Sequence, residues 1–81
     1  MVDLQRALDQ VRAGHWEQAH NIVQVDESSM GAWLHGILHL QEGDLDNARY
    51  WYGRARRSFP EPVTLLDELA RFEAELRAQV P

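Results

Sequence analysis

The feature that most constrains the fold is an internal repeat at an offset of 29 residues. Gly14 and Ala19 recur as Gly43 and Ala48, and the same shift lays Leu4, Ala7, Leu8 and Val11 on Trp33, Gly36, Ile37 and Leu40. Each copy sets apolar residues at the i, i+3, i+4, i+7 spacing of one helical face, then places a glycine where a helix must stop and turn. Nowhere does the chain sustain an alternation of apolar and polar residues, so strands are not expected. A chain written this way reads as all-α, built from two antiparallel helical hairpins.

Taken in order, helix one is expected over Val2 to Ala13, with Leu4, Ala7, Leu8 and Val11 inward, Asp3 in the first turn and Gly14 at the end. A short second helix starts at His15, aligns Trp16, Ala19, His20 and Val23, and ends near Asp26. In the break DESSM, Ser28 or Ser29 caps helix three, expected from about Gly31 to Glu42. There Trp33, Leu34, Ile37, Leu38 and Leu40 cover a wider arc than one seam requires, which makes this the central helix with neighbours on two sides. Gly43 ends it in the left-handed conformation; Asp44 caps helix four and Asp46 adds charge near its N-terminus. Helix four turns Leu45, Ala48, Trp51, Tyr52, Ala55 and Phe59 inward and carries Arg54, Arg56 and Arg57 in its last turns; Pro60 and Pro62 stop it. The last helix, expected from Pro62 to Val80, carries the stripe Leu65, Leu66, Leu69, Phe72, Leu76. Asp67 with Arg71 and Glu73 with Arg77 form i, i+4 ion pairs on its exposed side.

Eighty-one residues make one domain, and a chain of this size buries only roughly 60 to 65% of its unfolded surface, a thin margin that a partner or a second copy would widen. The seam Leu65, Leu69, Phe72, Leu76 could pair with another molecule as a homodimer, although closure within one chain is the preferred reading. The absence of cysteine removes disulfides and thiolate chemistry. Thirteen acids against eight arginines, with no lysine, give a net charge of −5 and weigh against nucleic acid as a partner. The opening MVDLQRALDQ lacks the pattern of a signal peptide, and no apolar run approaches the ~20 residues that cross a bilayer. A cytoplasmic protein with no membrane contact is expected.

The second hairpin resembles a tetratricopeptide repeat, whose pattern of about 34 residues runs W-x2-L-G-x2-Y, then A-x3-F, then P. Gly36, Ala48, Tyr52 and Pro60 fall in register. Small residues at Gly36 and Ala48 let two helices approach, and the aromatic four residues past the alanine lies on that contact. The resemblance implies a first, degenerate repeat over residues 1–27, a second over 28–60 and a closing helix over 61–81. The phrase AWLHGILHLQEGDLDNARYWY is also similar to a set of small uncharacterised bacterial proteins, a likeness that brings no activity with it. The chain departs from the repeat pattern in holding Ala32 in the Trp slot, with Trp33 one residue late, and His35 and His39 in the Leu and Tyr slots. Members of the family bind peptides or partner proteins in a groove, and the resemblance implies the same here, in a shallow form.

Two constellations carry chemistry. His35 and His39 are i, i+4, with Glu42 three residues on, and an imidazole pair one turn apart is half of a common zinc site. If helices two and three are antiparallel, His20 stands level with His35, and so does Tyr52 across the other turn. Metal chemistry would draw on His20, His35 and His39, with Glu42 as the one nearby applicant for general base. The preferred reading is structural, with the histidines partly buried and hydrogen-bonded to backbone, Tyr52 or each other; an inter-subunit or ligand contact comes second, and metal chemistry third. The second constellation is Tyr50, Trp51 and Tyr52 followed by Arg54, Arg56 and Arg57, in which Tyr50, Gly53, Arg54 and Arg57 share a face fit for an acidic partner segment. No complete catalytic signature is present, and no cofactor is expected. The sequence therefore reads as a noncatalytic protein–protein interaction module, with Trp33, His35, His39, Tyr50, Arg54 and Arg57 as binding candidates; the alternative is a small metal- or ligand-binding protein using the three histidines.

Overall fold

The two glycines of the repeat build the same turn twice. In the computed structural model, which describes residues 3–61 and 64–79, Gly14 and Gly43 lie at φ 82° and 83°. The Gly14 N–H donates to the Val11 carbonyl at 3.1 Å and the His15 N–H to that of Gln10 at 2.8 Å. The Gly43 N–H donates to Leu40 at 3.1 Å and the Asp44 N–H to His39 at 3.0 Å. These are paired Schellman caps, donor for donor and acceptor for acceptor at the repeat offset.

The turns separate five helices, α1 Leu4–Arg12, α2 Trp16–Val23, α3 Ser29–Glu42, α4 Leu45–Ala55 and α5 Leu65–Ala78. Short connections fold α2 back on α1 and α4 back on α3, and α5 lies against α1 and α3. The described residues contain no strand. The expected helix ends at Val2, Pro62 and Val80 lie outside the described residues. No described helix is long and apolar enough to cross a membrane.

Caps set the starts. Asp3 precedes α1 as its N-cap, accepting the Arg6 N–H at 3.0 Å. Ser28 takes the Gly31 N–H at 3.0 Å, so α3 begins two residues before the expected Gly31, and Asp44 takes the Asn47 N–H at 3.2 Å.

Helix α3 is the axis of the molecule, touched by the other four, and every residue from Met30 to Leu40 is buried. Fully burying Leu34, Ile37 and Leu38 contributes about 1.5–3 kcal/mol each before entropy is charged against it. Its seam with α4 depends on Gly36: a Cβ there would stand 2.6 Å from Tyr52 Cδ1 and 3.4 Å from the Ala48 carbonyl oxygen. The close approach that the sequence assigns to Gly36, Ala48 and Tyr52 is thus built as expected.

Several expectations are corrected. Helix α2 ends at Val23, short of Asp26. Helix α4 ends at Ala55, well before Pro60, because Arg56 adopts the left-handed conformation at φ 59° and the Arg57 N–H closes on the Tyr52 carbonyl at 3.0 Å. Only Arg54 therefore sits in the last turn, and Phe59 packs against the core from the irregular stretch after the helix. Leu45 is largely exposed. Leu66 is 78% exposed and leaves the α5 stripe, whose buried members are Glu68, Leu69 and Phe72. Arg71 pairs with Glu68, not Asp67, whereas the Glu73–Arg77 pair forms at 3.3 Å and Glu73 also receives Arg12 of α1 at 3.2 Å.

Candidate functional site

The turn between α2 and α3 aligns the two helices so that His20 faces His35, Nε2 to Nε2 at 3.0 Å. His39, one turn further along α3, completes the group: one ring nitrogen from each of His20, His35 and His39 lies within 4.8 Å of the other two. Indoles hold two of the rings. Trp16 stacks on His20 with centroids 4.8 Å apart, and Trp51 stacks on His35 at 3.9 Å. Trp16 is itself fixed through its Nε1–H to the Leu38 carbonyl at 2.8 Å. His39 Nδ1 and Glu42 Oε1 are 2.6 Å apart, which assigns that nitrogen to the carboxylate and leaves Nε2 free. Trp51, rather than the expected Tyr52, is the α4 residue that meets His35, because Tyr52 turns to the other side of α3.

His35 and His39 are buried and His20 is half-buried. Burial, reinforced by the neighbouring His20 and His39, lowers the pKa of His35 to about 4; burial and then His39 lower that of His20. A charged imidazolium is disfavoured in low dielectric next to rings that compete for the same proton. His35 is therefore neutral near pH 7. Its Nδ1 is buried without a hydrogen-bond partner among the described residues. Three imidazoles on two rigid helices, with no cysteine in the chain, form a donor set suited to borderline divalent ions.

On the opposite side of α3 a second polar centre gathers around Glu68, a residue that sequence reasoning passed over. Glu68 is 4% exposed. Its Oε1 accepts the Tyr52 hydroxyl at 2.6 Å and the Trp33 Nε1–H at 3.3 Å, and its Oε2 accepts Arg71 at 3.0 Å. Burial, and then the adjoining Glu68 carboxylate, push the Tyr52 phenol upward, so that it stays protonated and donates. The available signal was Glu68's place three residues after Leu65 and four before Phe72, inside the apolar stripe.

Arg57 leaves the face it was expected to share with Tyr50, Gly53 and Arg54. It lies 3.5 Å above the Trp33 ring and pairs with Glu75. Trp33, Arg56, Arg57, Ser58, Glu68 and Arg71 then line a cleft of about 350 Å³. Tyr50 and Arg54 do lie together on exposed α4, Arg54 donating to the Tyr50 hydroxyl at 3.1 Å and standing 5.6 Å over Trp51. Of the binding candidates, His35 and His39 thus belong to the histidine cluster, Trp33 and Arg57 to the cleft, and Tyr50 and Arg54 to the outer face of α4. Compared with known proteins, the chain matches no family model, no curated protein and no solved structure.

Proposed function

We propose that the chain is a noncatalytic protein-interaction module, a small tetratricopeptide-like adaptor that receives an acidic segment of a partner protein at the arginine-rich end of α4. The observation that carries this reading is the cleft over Trp33, with Arg56, Arg57 and Arg71 around it. In a chain of net charge −5, five of the eight arginines (Arg49, Arg54, Arg56, Arg57 and Arg71) belong to α4, the turn after it or the α5 residue bordering the cleft. Arg54 and Arg56 have no carboxylate within ion-pair distance among the described residues, so their guanidinium donors stay available. Such donors grip carboxylates in a planar, two-pronged geometry that lysine does not offer.

Arg56 adds a second support. Its left-handed conformation disfavours a β-carbon by roughly 1 kcal/mol, and the matching positions after α1 and α3 are glycines. Keeping an arginine in such a place is what a binding role for its side chain would require.

The test is a titration with a labelled glutamate-rich peptide, followed by fluorescence anisotropy, with a neutral peptide of equal length as control. Binding should weaken as salt rises, since exposed charges are screened. It should be lost in Arg56→Glu while the circular dichroism stays helical. Salt-insensitive binding, or equal binding by the charge-reversed variant, would refute the proposal.

A further inference from the structure

We propose that His20, His35 and His39 form a site for one divalent transition-metal ion of the zinc class, with Glu42 as the carboxylate that orients His39. This goes beyond the interaction reading and uses none of the arginine-end residues.

The argument begins with what packing alone would require. Positions 35 and 39 face the interior of a hairpin, where aliphatic or aromatic residues would supply volume without polar atoms. Imidazoles bring ring nitrogens into the same space, and each buried nitrogen is costly unless paired. The three rings share a single nitrogen-to-nitrogen contact and one carboxylate. An ion would engage a lone pair on all three rings at once, which no protein group within the cluster does. The Nδ1 of His35 is buried without a hydrogen-bond partner among the described residues, and an ion on Nε2 does not pair it.

Geometry supplies the second step. Around a tetrahedral zinc, bond lengths of about 2.0–2.1 Å place ligand nitrogens about 3.4 Å apart. The His20 and His35 nitrogens are at 3.0 Å, and the widest separation in the trio is within 4.8 Å. Closing the trio takes about 1.5 Å at most, a side-chain rotation rather than a helix movement. Two of the rings are already held in plane by Trp16 and Trp51. The third has a carboxylate on Nδ1, the kind of outer-shell partner that a metal-bound histidine carries on the ring nitrogen it does not give to the ion.

The donor chemistry selects the ion. Three imidazoles without thiolates suit Zn²⁺, Co²⁺, Ni²⁺ and Cu²⁺ and are poor ligands for Mg²⁺ or Ca²⁺, which need oxygen. A second donor trio, His39, Glu42 and Asp44, also comes within 4.8 Å. There Glu42 is engaged by His39, and Asp44 is engaged as the cap of α4, accepting from Asn47 at 3.2 Å through each oxygen. In the histidine trio the one claim between donors is the His20–His35 contact itself, which an ion would replace, and the carboxylate takes Nδ1 of His39 and leaves its Nε2.

The test uses the full chain stripped with chelator and titrated with zinc sulfate, read by native mass spectrometry and by thermal unfolding. One zinc per chain and a higher unfolding midpoint, both reversed by chelator, are expected, since an ion that binds only the folded state stabilises it. His20→Ala alters the most exposed of the three rings and leaves the core filled; it should lose the zinc and the thermal shift. Glu42→Gln should keep the stoichiometry and weaken binding by about 10- to 100-fold. The exposed His15 serves as control, and His15→Ala should bind as the parent does. No zinc retained at micromolar concentration overturns the proposal. So does zinc that survives His20→Ala, and binding of that kind abolished by Asp44→Ala would place the ion on the acidic trio instead.

Discussion

Replacing Glu68 tests the polar centre on which α3, α4 and α5 meet. In Glu68→Ala the Tyr52 hydroxyl and the Trp33 indole N–H, on residues 1% and 2% exposed in the parent, lose their shared acceptor. An unpartnered buried donor costs about 1–3 kcal/mol. Arg71 suffers little, because its side chain is 67% exposed and swings into water. Removing the carboxylate also relieves a buried charge, which offsets part of the loss, so a net destabilisation of about 2–4 kcal/mol is expected. For a chain of 81 residues that lowers the unfolding midpoint by more than roughly 10 °C. Glu68→Gln retains an oxygen for both donors and gives up only the charged bond to Arg71, at about 1 kcal/mol. Urea unfolding followed by tryptophan fluorescence measures both variants. The decisive companion is Tyr52→Phe, which removes one of the donors. Glu68→Ala should cost less in that background, since one of the groups it strands is gone. Glu68→Ala costs within about 0.5 kcal/mol of a surface substitution, or equal costs in both backgrounds, would refute the account.

Two further substitutions separate space from helix propensity. Gly36→Ala gains up to about 1 kcal/mol of helix propensity but drives its Cβ to 2.6 Å from a Tyr52 ring tethered at its hydroxyl, so a net loss of about 1–2 kcal/mol is expected. Gly53→Ala meets nothing within 4 Å and should stabilise by about 0.5–1 kcal/mol; a shared sign in chemical denaturation would sink the close-approach argument. In metal-free protein, acid should weaken the fold through His35, which faces His20 on α2, His39 on α3 and, through His39, Glu42. Burial and the neighbouring His20 and His39 hold its folded pKa at about 4, below the ordinary histidine value of 6.5. The stabilising contribution is therefore whole above pH 6.5 and is lost as pH falls toward 4, up to on the order of 3 kcal/mol. His35→Phe keeps a ring against Trp51 and takes up no proton, so its stability should fall less over that window; parallel pH profiles would contradict the assignment.

Much of the fold was legible because the signals were local. A glycine past a helix end, a serine or aspartate before one and an apolar arc of a given width act within one turn of chain, so Gly14, Gly43, Asp44 and the breadth of α3 could be read directly, and the cap of α3 could be narrowed to Ser28 or Ser29. The His20–His35 contact was legible for a related reason: a short turn fixes the register of two antiparallel helices. What was not legible depended on rotation or on a partner far along the chain. Trp51 and Tyr52 differ by about 100° around α4, and that step decides which meets His35 and which meets Glu68. The end of α4 was misread because Pro60 is the louder stop signal, whereas the chain turns earlier on a non-glycine residue in a left-handed conformation. Leu66 and Glu68 both flank the seam of Leu65, Leu69 and Phe72. Hydropathy favours Leu66 inside, but the buried Trp33 and Tyr52 donors require an acceptor, and among the described residues Glu68 supplies it.

That choice explains how one buried helix supports two polar centres. Trp33 and His35 are two positions apart, about 200° around the helix, so their side chains leave α3 on opposite sides. The adjacent pair on α4 divides in the same way, Trp51 to the histidines and Tyr52 to Glu68. The α3–α4 hairpin is therefore a common wall with a half-built polar site on each face. The flanking elements complete them separately: α2 adds His20 on one side, and α5 adds Glu68 and Arg71 on the other. A change in α2 reaches the histidines without touching the arginine cleft, and a change in α5 does the reverse. The His20 and Arg56 variants therefore probe separate sites within one fold, and the failure of either proposal would leave the other standing.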